Sequence, residues 1–438
     1  MINITEKTRR IIARDSKALL TTTKGKESIP LVTATGDGDF IYDVEGNRYI
    51  DFATYISVYN FGVNSRAEVR SAIKKQVDRM MHAAFTDFYA EQPVKFAEDL
   101  VKQFPSGFGR VFYSNSGTEA NEAAIKAARY LKKKPYVIAF YNSFHGRTIG
   151  SLSLTSSKSV QRAYFGPFTG VIHAPYPYPY RCPFNHEEIE CGMDSIRYIE
   201  DNILSKEVSP DEVAAVIVEP VQGEGGYVVP PKVFIKELRK LTKRHGILLI
   251  SDEVQSGYMR AGKFLALDNF GVDADIYTMA KSIAAGLPMG VTVTKRSLGD
   301  LPQGAHSNTF GGNLVAIAAA QAQLDYFKRN KRKLESAASR NSKFMMKRLN
   351  EMKETYEIIG DVRGLGMMIG VEIVKDKKSK AYGVKEHDRI INEAFNNGLV
   401  LLPCGMSAIR IIPPITVSAS HLNKGLDIFE KAVKSVSR

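Results

Sequence analysis

At 438 residues, with 44% apolar and 24% charged side chains, the chain is long enough for two or three domains and has the balance of a globular protein. No apolar run approaches the roughly 18 residues of a membrane span, the opening MINITEKTRRIIARD lacks an apolar signal core, and three cysteines, Cys182, Cys191 and Cys404, are too few for a disulfide framework; the expected compartment is a reducing cytoplasm. The net charge of +13 sits in short scattered groups at 131–134, 327–333 and 375–380, with no interleaved aromatics, so a solvated basic surface suited to small phosphorylated or anionic ligands is expected rather than a nucleic-acid platform.

In chain order, residues 1–35 begin with an amphipathic helix and continue as loop. Residues 36–51 (GDGDFIYDVEGNRYID) predict a β-hairpin, with Phe40, Tyr42 and Val44 alternating and Glu45-Gly46-Asn47 supplying the turn. A helical period follows over 67–82 on Val69, Ile73 and Val77. The stretch 110–134 predicts a strand, a polar glycine turn and a long helix whose Ala120, Ala123, Ala124 and Ala127 allow close packing on a sheet. Strands then recur at 136–140, 214–219, 247–252, 275–279 and 290–294 with helices between them, the pattern of a mostly parallel sheet covered on both faces. The segment 175–193 is rich in Pro and Tyr and predicts a surface loop insertion. From 314 the pattern changes to long helices over about 314–354, a strand at 367–374, a helix at 385–397, short strands at 399–402 and 409–412, and a last helix, a compact α+β unit.

Two apolar runs end in charges. Ile247–Ile250 leads to Asp252 and Ile276–Met279 to Lys281, 29 positions apart, enough for a crossover. Open α/β sheets place their chemistry at the carboxyl ends of strands. A lysine able to form a Schiff base and an acid able to hold a pyridinium nitrogen are the two parts a pyridoxal phosphate (PLP) enzyme needs, although solvated loop charges account for this pair equally well. Ser116, Gly117 and Thr118 open a helix whose free N–H groups suit a phosphate, or form an ordinary N-cap. FHGRT (144–148) offers Phe144 to stack on a flat ring and Arg147 as a carboxylate fork, or a core aromatic and a surface arginine; His145 reads as structural. Glu219 ends a strand, Glu224 lies in a Gly-rich turn, Thr309 on a Gly-rich loop and Arg410 in a strand before two prolines.

Together these motifs resemble the class III aminotransferases, PLP enzymes of fold type I. SNSGTEAN, FHGRT, EPVQGEGG, SDEVQSG, AKSIAAGLPMG, HSNTFGGN, VRGLG and RIIPPI occur in that order, the resemblance runs from about residue 36 to 415, and it is nearest to archaeal and bacterial 4-aminobutyrate (GABA) aminotransferases. It implies an α/β large domain over 61–313 with a mostly parallel seven-stranded sheet flanked by helices. A smaller α+β domain would be built from both chain ends, 1–60 and 314–438. Lys281 would hold PLP as an internal aldimine and shuttle the substrate proton, and Asp252 would pair with the pyridine nitrogen. Phe144 and Val254 would sandwich the ring, Gln255 would reach its phenolic oxygen with Glu219 behind it, and Ser116, Gly117 and Thr118 would hold the phosphate. Thr309 would complete that site from a second subunit, implying a homodimer and leaving a tetramer open. Arg410 and Arg147 would bind the two carboxylates of glutamate, Glu224 would neutralise Arg410 when GABA binds, and Ile56 would help set donor choice.

The implied reaction takes the amine of GABA to 2-oxoglutarate, giving succinate semialdehyde and glutamate. An amino-acid racemase, or an ornithine, acetylornithine or lysine aminotransferase, is the alternative within the same fold. Tyr55, where the family often has glycine, and Gly62-Val63-Asn64-Ser65-Arg66, which lacks the family's two histidines, depart from the pattern. Both departures bear on substrate class more than on reaction type.

Overall fold

The computed structural model describes residues 4–25, 28–64, 66–166, 168 and 170–437; Ser65 of the departing stretch lies outside them. The chain divides into a larger unit, 66–335, and a smaller unit formed by 1–65 with 336–438. Among the described residues no helix is long and apolar enough to cross a membrane.

The larger unit is built on seven strands: β1 (Phe108–Ser114), β2 (Tyr136–Phe140), β3 (Val171–Ala174), β4 (Val213–Val218), β5 (Leu248–Asp252), β6 (Ile276–Met279) and β7 (Gly290–Lys295). Their order across the sheet is β1-β7-β6-β5-β4-β2-β3. The central pairs are parallel, and β7 alone runs against both its neighbours. Every residue of β4, β5 and β6 is buried, as expected for strands covered on both faces. Helix α1 (Gly117–Lys132) presents Ala120, Ala124 and Ala128 to this core. The parallel register brings Asp252 opposite Thr278, two residues before Ala280 and three before Lys281.

The smaller unit holds two four-stranded sheets. In one, Thr33–Asp37, Phe40–Asp43 and Arg48–Asp51 form an antiparallel meander, and Leu399–Val400 from the far end of the sequence adds in parallel to Arg48–Asp51. The hairpin turn is closed by Asp43, whose Oδ1 accepts from the Glu45 and Asn47 N–H groups at 2.9 Å each. The other sheet is antiparallel, in the order Ile359–Leu365, Met368–Ile373, Ala408–Ile411, Leu402–Cys404. The run 399–402, read as one strand from sequence, is thus broken at Leu401 and serves two sheets. The helical stretch from 314 is one helix, α2 (Leu314–Thr355), and the division between the units falls inside it rather than at its start.

Two expectations are corrected. Residues 175–193 are not simply a surface loop: Tyr176 is buried against Phe140 and Phe234, and a helix, Glu188–Tyr198, starts within the segment. Cys182 and Cys191 form a disulfide, with Cα atoms 6.0 Å apart. The short 3₁₀ turn Pro179–Arg181 and the start of that helix bring the two residues within bridging range, which a count of three cysteines cannot reveal. Cys404 lies outside the disulfide and is buried.

Candidate functional site

The larger unit gathers its chemistry at the carboxyl ends of its strands. After β1, Ser116 takes an extended conformation and its hydroxyl accepts from the Glu119 N–H, capping α1. The first backbone bond of that helix runs from Ala120 N to Ser116 O, 3.0 Å. The N–H groups of Gly117 and Thr118 lie ahead of it, at the open positive end of the helix dipole. A Cβ on Gly117 would stand 2.7 Å from Val254 Cγ1 and 3.5 Å from the Ala280 methyl. Only glycine therefore lets this helix start come so close to the loop after β5 and to the residue preceding Lys281. The cradle suits a phosphate.

Asp252, the last residue of β5, is 3% exposed. Its Oδ2 accepts from Asn121 Nδ2 at 2.8 Å and lies 2.7 Å from His145 Nδ1; its Oδ1 accepts from Val254 N at 3.0 Å. Buried carboxylates need such partners. Lys281 opens the turn after β6 with φ of +48°, a left-handed conformation unusual for a residue with a side chain. The turn is held from α2, where Gln323 Nε2 donates to the Ser282 carbonyl. Backbone strain of this kind persists where the surrounding structure over-determines it, often at functional sites.

Glu219 follows β4 and is fully enclosed. Its Oε1 accepts from Phe144 N at 2.8 Å and its Oε2 from Gly223 N at 2.9 Å. Burial, opposed by His145 and reinforced by the Asp252 charge, pushes its carboxyl up to about 7. It thereby ties the loop carrying Phe144 and Arg147 to the turn carrying Glu224. That turn is closed by backbone bonds between Gln222 and Val228. Gln255 Oε1 accepts from Tyr227 Oη at 2.8 Å, and a Cβ on Gly223 would collide with the Gln255 amide. Glu219 and Gln255 thus share Gly223 rather than a direct bond.

Arg147 is exposed, its guanidinium 5.5 Å from the Phe144 ring centre. The N–H groups of Arg147 and Thr148 donate to Thr118 Oγ1 at 3.2 and 3.3 Å, so this hydroxyl holds the FHGRT loop. Thr309 is exposed; the neighbouring Asn308 donates to Tyr113 O at 2.8 Å, anchoring the loop to β1.

Ile56 and Arg410 belong to the smaller unit. Arg410 is 2% exposed, and its Nε donates to Pro403 O at 2.9 Å. Thr54, Tyr55, Ile56 and Ser57 form a left-handed turn with φ between +40° and +65°. Asp51 Oδ1 accepts from the Ala53 and Thr54 N–H groups at 2.8 and 2.7 Å, and Thr54 Oγ1 donates to Ile412 O at 3.0 Å, just past the strand carrying Arg410. The glycine usual at position 55 has a physical reason here, since glycine enters this region without steric cost; in this chain the turn is held by Asp51 and Thr54 instead.

Sequence reasoning passed over Asn121, Thr278 and Tyr227 and read His145 as structural. Asn121 carried a signal: it is a polar residue among the inward alanines of α1, and a buried amide requires partners.

The model of the class-III aminotransferases matches residues 21–433. A leucine/methionine racemase of Thermococcus litoralis is 38% identical, over 93% of this chain and 91% of its own. A probable 4-aminobutyrate aminotransferase of Bacillus subtilis is 35% identical, over 91% and 92%. The structure of an amine transaminase from an uncultivated Pseudomonas species, in its PLP-bound form, superposes with a TM-score of 0.88 at 30% identity, covering 95% of this chain and 98% of that one. Matched over this extent, the chain belongs to the class-III aminotransferases, enzymes whose cofactor is pyridoxal 5'-phosphate.

Proposed function

We propose that this enzyme moves the amine of an ω-amino acid, 4-aminobutyrate, to 2-oxoglutarate, giving succinate semialdehyde and glutamate. The observation that carries the reading is the Glu219 carboxylate, which bonds Phe144 N and Gly223 N and so yokes the loops bearing Arg147 and Glu224. A pocket that accepts GABA and glutamate in turn needs a fixed cation for the shared carboxylate and an acid able to neutralise a second cation. By the family resemblance Arg147 would be that fixed cation and Arg410 the second, Glu224 would be the acid that answers a cation when the donor lacks an α-carboxylate, and Ile56 would bear on donor choice.

When bound, PLP supplies an aldehyde to take up the amine and a ring that draws off carbanion charge. Ser116, Gly117 and Thr118 would hold its phosphate, joined by Thr309 of a second copy in a homodimer. Phe144 and Val254 would flank the ring, Gln255, backed by Glu219, would bind the phenolic oxygen, and Asp252 would bind the ring nitrogen. Lys281 Nζ would anchor the cofactor and move the proton at the substrate Cα. The test is glutamate formation from GABA and 2-oxoglutarate by the PLP-loaded protein; no glutamate sinks the GABA assignment. Arg147→Ala raises KM for both substrates, whereas Glu224→Ala raises it for GABA far more than for glutamate.

A second reading, amino-acid racemisation, is favoured by the 38% identity to the leucine/methionine racemase. It is separated by following the optical rotation of L-leucine without keto acid, where a steady fall replaces the transferase reading. Ornithine, acetylornithine and lysine are the further donors to compare with 2-oxoglutarate.

A further inference from the structure

We propose that Asn121 is a positioning residue for Asp252, and that the Thr278 hydroxyl steadies its amide by donating to the amide oxygen. Asn121 is 1% exposed, on the second turn of the helix whose start forms the phosphate cradle. Its Nδ2 donates to Asp252 Oδ2 and to His145 O, 2.8 Å each. Its Oδ1 accepts from Thr278 Oγ1 at 2.7 Å. Both amide protons and the carbonyl oxygen are therefore used, and Thr278, fully buried on β6, is the register partner of Asp252. A flipped amide would bring Oδ1 against the Asp252 carboxylate and the His145 carbonyl, three acceptors together in a dry interior. The two acceptors thus fix the amide's direction, and the Thr278 hydroxyl satisfies the oxygen that faces away from them.

The consequence lies in how the two Asp252 oxygens are divided. Oδ2 is occupied by Asn121 and His145, whereas Oδ1 has, among the described residues, one partner, Val254 N. An ionised carboxylate offers about four lone-pair sites, so Oδ1 keeps capacity on the side of Val254, the residue packed on Gly117. One helix thus sets both ends of the cofactor: its N-terminus the phosphate, and its fifth residue the carboxylate that meets the ring nitrogen. This inference rests on the proposed role of Asp252. Loss of Asn121 frees the carboxylate to rotate and weakens the hold on the ring-nitrogen proton. The chemical step then suffers while the carboxylate grip of Arg147 stays intact.

The test uses the PLP-loaded protein and four variants: Asn121→Leu, Thr278→Val, Thr278→Ser and Asp252→Ala. Asn121→Leu is expected to lower kcat about tenfold or more with KM within about twofold, to weaken PLP binding and to move the visible absorption band. Thr278→Val, near in shape to threonine but without the hydroxyl, shifts the same readouts in the same direction, and Thr278→Ser restores them. An Asn121→Leu protein that folds with wild-type kcat, band position and PLP affinity overturns the proposal. If Asn121→Leu does not fold, Thr278→Val decides alone, and wild-type values there overturn it. Asp252→Ala separates the two levels. Wild-type band and affinity in that variant remove the Asp252 reading itself, whereas a changed Asp252→Ala beside an unchanged Asn121→Leu overturns only the role of Asn121.

Discussion

The His145 imidazole and the Asp252 carboxylate meet at 2.7 Å, Nδ1 to Oδ2, with both side chains buried. Asp252 cannot turn to water if this partner is lost, so His145→Leu leaves a buried charge with one bond fewer. The expected cost is about 2–3 kcal/mol of folding stability, read from urea unfolding of the apoprotein. His145→Gln, which can still present a donor, is expected to cost less.

Gly117→Ala places a methyl 2.7 Å from Val254 Cγ1. The cradle must spread, so PLP affinity should fall about tenfold or more and stability by about 1–3 kcal/mol. Shortening the opposing side chain, in Gly117→Ala with Val254→Ala, should recover part of both. Equilibrium dialysis against PLP and thermal unfolding make the comparison, and a double variant no better than the single one would count against the steric account.

The Cys182–Cys191 bridge closes a short loop, with a sequence separation of 9. Thiol titration in denaturant without reductant should therefore find one reactive cysteine, Cys404, rather than three. Replacing Cys182 by serine should lower stability by about 2–3 kcal/mol, the loop-closure entropy for a ring of this size, visible as a lower Tm.

Glu253 is 2% exposed, and burial pushes its carboxyl from 4.5 up to about 7, against bonds from Ala266 N and Leu267 N at 2.7 and 3.0 Å. Between those two values the folded chain binds more protons at this site than the unfolded chain. Its contribution to stability is therefore complete below about pH 4.5 and is lost as pH rises through about 7. Comparing wild type with Glu253→Gln in urea melts from pH 4.5 to 8 should show wild type losing on the order of 3 kcal/mol relative to the variant as pH rises. A constant difference over that range would show that the buried carboxyl does not titrate there.

Much of the larger unit was legible in the sequence because β2, β4, β5 and β6 are built on apolar runs, and the last three lead into Glu219, Asp252 and Lys281; β3, four residues long with His173 inside it, was not. Asp252, Lys281, Glu219 and the Gly117 turn stand out for that reason: their type and place along the chain already imply strand ends and a helix start. The bonds among them were not legible. Asn121, His145, Thr278 and Asp252 come from four separate segments, and only sheet register and helix packing bring them within 3 Å. Nothing in TYIS announces a left-handed turn, because that conformation is imposed by Asp51 and by the Ile412 carbonyl, 358 positions from Thr54. The break at Leu401 and the disulfide between Cys182 and Cys191 are of the same kind. Local pattern determines which segments bury and where chemistry can sit. Which polar atoms face each other is decided by contacts between distant segments, since a buried donor or acceptor takes whatever partner the fold delivers.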